Sequence, residues 1–295
     1  MIRNGTTLAI GCWLLLALAG CGSKPESAPT ASAPRPGGAA TPAEAVLLPT
    51  RDLRDDDLAA FARDTVPPAL HARLDAAWRS GRTRWPLDEL PLGAKVPAIL
   101  GALAAPGSEA KLGRAYDRQL AGAGGELRSA ALALGLFGDK YLANEGDFSA
   151  DERAHYRQLV AAASRWAAGA PLSDARRAHA AIARLAAAAR AGGLRSEADF
   201  ARSGIDDGLR RLSAFAKVMK DVLAGYGLDL DATLAGMRAT ELERDGDRAR
   251  VRMQYRFGGR DIDATIAVER HEGRWYCTDF LRHAEAATGA APAPR

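Results

Sequence analysis

The sequence is poor in the residues that most often carry chemistry. It has three cysteines, five histidines and only 6% aromatic residues. None of His71, His155, His179, His271 and His283 lies three or four positions from another, so no helical metal-binding pair is encoded. A G-x-S-x-G elbow, a phosphate-binding Walker loop and a catalytic-cysteine signature are all missing. Ser108-Glu109-Ala110-Lys111 has the S-x-x-K spacing of penicillin-binding proteins but no K-T-G partner downstream, and Pro106-Gly107-Ser108 predicts a turn with Ser108 as a helix cap. Asp229-Leu230-Asp231 begins like a calcium loop without its glycine and closing glutamate, and predicts a helix start. No catalytic residue, metal ligand or cofactor is therefore expected.

Charge of one sign is also lacking. Forty basic residues face thirty-six acidic ones, interleaved as in DLRDDDLAAFARD and ELERDGDRAR, so no basic stripe for nucleic acid is present. Nor is there a long hydrophobic run. The apolar stretch Leu8 to Leu18 is about half of the roughly 20 residues a membrane span needs.

That stretch does fit a signal peptide over residues 1–20, with Arg3 supplying the positive start. Leu18-Ala19-Gly20-Cys21 resembles the lipobox of bacterial lipoproteins. The resemblance implies cleavage between Gly20 and Cys21, acylation of Cys21 and attachment to a membrane through that lipid. Each buried methylene contributes about 0.8 kcal/mol, so two or three acyl chains anchor stably. Gly22 and Ser23 follow where an aspartate would mark inner-membrane retention, which points to the outer membrane, with the chain facing the periplasm. Cys12 then leaves with the leader and Cys21 carries lipid. Cys277 alone remains, so no internal disulfide can form, and a lone thiol in an oxidising compartment is expected to be buried.

Composition and periodicity divide the rest into four parts. Residues 21–48 hold the lipidated cysteine and a Pro-, Ala-, Ser- and Gly-rich stretch with no apolar stripe, read as a disordered tether. Residues 49–235 carry helical periodicity, with helices expected near 54–63, 68–79, 93–104, 109–121 and 126–143. Further helices open at the capping box Ser149–Glu152, at Ser173, and at Ser196 with Asp199; the clearest runs over 206–224. Residues 236–283 switch to a period of two and predict a four-stranded antiparallel meander, and residues 284–295 a disordered tail. The fold class is thus α+β, a mostly helical body followed by a β-meander packed on it.

The turns set a register. A two-residue loop at Gly258-Gly259 places Tyr255 opposite Ile262, Met253 opposite Ala264 and Val251 opposite Ile266, with Arg256 opposite Asp261 and Arg248 opposite Glu269 on the other face. A like loop at Asp245-Gly246 sets Glu243 against Arg248 and Glu241 against Arg250, with Leu242 on the apolar side. That side is expected to lie against the helix at 206–224. The last strand, WYCTDF, is expected to turn Trp275 and Cys277 inward. The run GDRARVRMQYRF, a hairpin and HEGRWYCTDF is similar to the closing strands of the nuclear-transport-factor-like cone fold, whose members have unrelated functions.

Function is expected from address and from silence: a non-enzymatic module that binds a periplasmic protein or peptidoglycan, such as an inhibitor or immunity lipoprotein. A lipid or glycan carrier with a cavity at the helix–sheet junction, or a cell-wall enzyme with a dispersed site, are the alternatives. Trp78, Trp85, Trp166, Trp275 and Tyr276 are the aromatic candidates for gripping a partner.

Overall fold

A computed structural model describes residues 37–90 and 92–289. The leader, Cys21 and the tether as far as residue 36 lie outside the described residues. The described chain is α+β: eleven helices, and a four-stranded antiparallel sheet in the order β1-β2-β3-β4. The helices are α1 (Pro42–Arg54), α2 (Leu58–Asp64), α3 (Pro68–Arg79), α4 (Val96–Ala104), α5 (Ser108–Gln119), α6 (Gly124–Asn144), α7 (Ala150–Gly169), α8 (Ala175–Gly192), α9 (Glu197–Gly225), α10 (Leu230–Ala235) and α11 (Thr278–Ala287). The strands β1 (Arg238–Asp245), β2 (Arg248–Phe257), β3 (Arg260–His271) and β4 (Arg274–Cys277) lie between α10 and α11.

Several helix starts follow from short polar side chains that satisfy otherwise unpaired backbone N–H groups. Ser149 and Glu152 form the full capping box of α7, Ser196 accepts from Asp199 N, and Asp229 accepts from Ala232 N at 2.8 Å. The cap of α8 is Asp174, one residue past the expected Ser173. Ser108 does not cap. It is the first residue of α5, and its hydroxyl donates 2.6 Å back to Leu103 O, tying α5 to the end of α4. The expected short helix at Ser196 and the helix at 206–224 are the two limbs of α9, bent at Gly204, whose φ of 70° a side chain rarely adopts. Asp75, on α3, accepts from Ile205 N at 2.9 Å and so caps the second limb from another helix.

Two apolar cores result. The first packs α2, α3, α4, α8, α9 and α11 around Trp78, Trp85, Leu74, Phe200 and Leu209, all fully buried. The second lies under the sheet, where Val251, Met253, Tyr255, Ile262, Ala264 and Val268 meet Ala45, Val46 and Ala162. The sheet therefore rests on α1 and α7, not on the helix at 206–224. The reason is that the tether ends earlier than its composition predicts. Thr41 caps α1, Pro42 opens it, and Ala45, Val46 and Pro49 are buried, so small residues that resemble linker form a contact surface. Pro49 has no N–H for Ala45 O; the thiol of Cys277 donates to that carbonyl at 3.4 Å instead.

The β2–β3 register is the one the turn dictates, with Tyr255 opposite Ile262, Met253 opposite Ala264 and Val251 opposite Ile266. In β1 the register differs. The turn is Gly246-Asp247, Asp245 faces Arg248, Glu243 faces Arg250, and a bulge between Glu241 and Glu243 throws Leu242 outward to 55% exposure. The last strand is four residues long, because Thr278 already begins α11; residues 284–287 are thus helical, not tail. Trp275 and Cys277 face the second core as expected, while Tyr276 is buried in the first. Beyond β4, Ala39 and Trp275 exchange both backbone hydrogen bonds (3.0 and 2.9 Å), and the Tyr276 hydroxyl donates to Gly37 O. Because β4 is short, residues of β3 near Asp263 have a free edge. Gln158 on α7 occupies it, donating to Asp263 O at 2.8 Å and accepting from Asp263 N at 3.1 Å, as a neighbouring strand would.

Candidate functional site

The densest polar constellation joins three segments remote in sequence: the 3-10 turn Leu87–Glu89, the start of α7 and α11. His283 Nδ1 lies 2.6 Å from Glu89 Oε2 and Nε2 lies 3.3 Å from Glu152 Oε1. Arg282 Nη2 donates to Glu152 Oε2 at 2.6 Å and lies 2.8 Å from His283 Nε2. Ser149 Oγ donates to Asp279 Oδ2 at 3.0 Å. Bonds to Glu152 and Glu89 raise the imidazole of His283 to about 9, so it is protonated at neutral pH. Burial pushes Glu152 up, but its bonds and charge interactions with His283 and Arg282 outweigh that and hold it ionised. Asp279 is raised by burial and by the neighbouring charge of Glu152.

Outside this knot runs an open cleft of about 550 Å³, lined by Arg82, Asp88, Glu89, Phe148, Arg282 and His283. A second, of about 520 Å³, lies beside Arg79, Arg84 and Glu197. Both mix charges of each sign. The geometry of the knot suits fastening more than acid–base work. Both nitrogens of His283 are engaged by carboxylates, the Ser149 hydroxyl is engaged by Asp279 and by its own helix start, and the Tyr156 hydroxyl, bonded to Glu152, is raised by burial and by that carboxylate and keeps its proton. His155, half-buried and 2.6 Å from the Tyr255 hydroxyl, is lowered by burial to about 4 and stays neutral. Asp52 on α1 is raised by burial and by Asp64 and Asp57 to about 7, yet it lines neither cleft. No group of three or more potential metal ligands occurs among the described residues.

The aromatic candidates are core residues. Trp78, Trp85, Trp275 and Tyr276 are buried, and half-buried Trp166 donates to Tyr226 O at 3.0 Å. Ser108 and Lys111 do not meet: Ser108 Oγ bonds Leu103 O and Glu109.

Sequence reasoning missed the outermost surface. Helix α6 packs substantially on α7 alone. Gly135 and Gly138 let the two helices close up, since a Cβ there would meet Ser164 Oγ at 2.2 Å and Val160 Cγ1 at 3.0 Å. On the outward side Leu134, Leu136 and Phe137 are 68%, 75% and 69% exposed, flanked by Leu132 and Tyr141. The signal was in the chain. From Ser129 to Gly138 there is no charge, so the middle of this helix has no charged face to give to water. No protein-family model, curated protein or solved structure matches the chain.

Proposed function

We propose that the chain is a bacterial lipoprotein, anchored through acylated Cys21 to the outer membrane and facing the periplasm, whose folded body binds protein and does not turn over a substrate. The observation that carries the binding reading is the exposed apolar face of α6. Monomeric soluble proteins rarely leave so continuous an apolar surface in water, and where they do it commonly marks an interaction site. The lipobox carries the address. No helix among the described residues is long and apolar enough to cross a membrane.

Two measurements test the two halves. Radioactive fatty acid should label the full chain and leave Cys21→Ser unlabelled and released from the membrane; label retained in the variant refutes the anchor. A photoreactive amino acid at position 136 should yield an adduct with protein in intact cells. An adduct with lipid alone, or none, refutes the binding surface.

A further inference from the structure

The outward face of α6 is complementary to itself. We propose that the partner of this face is a second copy of the same chain, with the two α6 helices antiparallel across a two-fold axis at Ala133. The proposal rests on the reading of α6 as a protein-binding surface and names its occupant. Along the crest of the helix lie Glu126, Ala130, Ala133, Phe137 and Lys140, all exposed, at alternating spacings of four and three residues. That is the spacing of a helix–helix seam.

Turned about Ala133, position i of one copy meets position 266 − i of the other. Glu126 then faces Lys140 of its mate at both ends of the seam, about 21 Å apart at 1.5 Å per residue. Within one copy that separation keeps the two charges apart, and neither side chain has an ion pair among the described residues. The bulky Phe137 falls opposite Ser129, beside Ala130, and on one flank Leu134 of each copy lies next to Leu134 of the other. Large residues thus meet small ones at the crest, alanine at the axis allows close approach, and leucines close the flank. A parallel pairing would instead set Glu126 against Glu126 and Lys140 against Lys140. With α7 behind each α6, the two hairpins form a four-helix arrangement. A face about 30 Å long and 10 Å wide is well short of the roughly 800 Å² per partner of a standard interface. The association is accordingly reversible, and confinement to a membrane surface would strengthen it.

Full-length chain carrying Ala133→Cys, treated in cells with copper–phenanthroline, should give a non-reduced band of twice the chain mass. Wild type, and Lys111→Cys on the exposed face of α5, should not. Added to Ala133→Cys, Glu126→Lys places lysine against lysine at both ends and should lower the cross-linked yield about five- to tenfold, and Glu126→Lys with Lys140→Glu should restore it to within about twofold. These surface substitutions leave both cores untouched. The proposal is overturned if Ala133→Cys gives no dimer, if Lys111→Cys gives as much, or if the charge swap fails to restore what the single reversal removes. A position-136 photo-adduct to a different protein, with no dimer, would overturn the self-pairing while leaving the binding reading in place.

Discussion

Helices α6 and α9 are the two longest among the described residues, and they spend their apolar residues in opposite ways. In α9, Phe200, Ile205, Leu209, Leu212 and Val222 are buried, and the remaining faces carry aspartates, arginines and lysines. In α6 only Leu142 is buried, though the helix is on average the more apolar of the two. What differs is arrangement. A single stripe finds one neighbour and leaves a wet face; apolar residues distributed all round cannot be satisfied by one neighbour. Burial in this fold follows from where the stripe lies, and the helix that lacks a stripe is left to the surface.

The sharpest way to break the contrast is to remove a buried anchor. Trp78 is fully buried against α9, its indole Nε1 donating to Phe200 O at 2.8 Å, and Trp78→Ala should cost about 3–5 kcal/mol in denaturant unfolding. A loss below about 1 kcal/mol would show that the first core is not packed as described.

Next in size is the ionic knot. His283 is raised above its ordinary 6.5 to about 9, so its contribution is fully present below about pH 6.5 and is lost as pH rises through 9. For this mostly buried side chain it amounts to roughly 1–3 kcal/mol. His283→Gln should flatten the stability profile between pH 6.5 and 9; an unchanged slope there would assign the dependence to another group.

Smaller again is the edge of β3. Gln158→Ala leaves Asp263 N and O unpaired by protein and should cost about 1 kcal/mol. Gln158→Glu, which accepts but cannot donate to Asp263 O, should recover only part. At the bottom of the scale, Leu136→Ala on α6 should change stability by less than about 0.5 kcal/mol, measured at a concentration where the chain is monomeric. A loss near that of Trp78→Ala would mean α6 is buried and would erase the comparison.

What could be read from sequence was local. The Gly258-Gly259 hairpin specified ten cross-strand partners, because a two-residue turn and an alternating pattern admit one register. Ser149, Ser196 and Asp229 announced their helices because a cap acts within three residues. The features that escaped depend on residues far apart. Asp75 caps a helix 130 positions away, and the linker-like residues of α1 become core only because a sheet built some 200 residues later lies on them. Of the candidate site, Glu152 was legible only as a helix cap and His283 only as an isolated histidine, while Glu89 carried no signal; their meeting could not be read, since no spacing rule spans such separations. Leu242 was misplaced by one bulge, which exchanges the faces of a strand.

Strand β4 is only four residues long, yet its side chains alternate between the two cores: Trp275 and Cys277 into one, Tyr276 into the other. Neither core can loosen without withdrawing a wall of its neighbour. The helical body and the sheet are therefore a single cooperative unit, whose amides open together and whose unfolding is one transition reported alike by Trp78 on one side and Trp275 on the other.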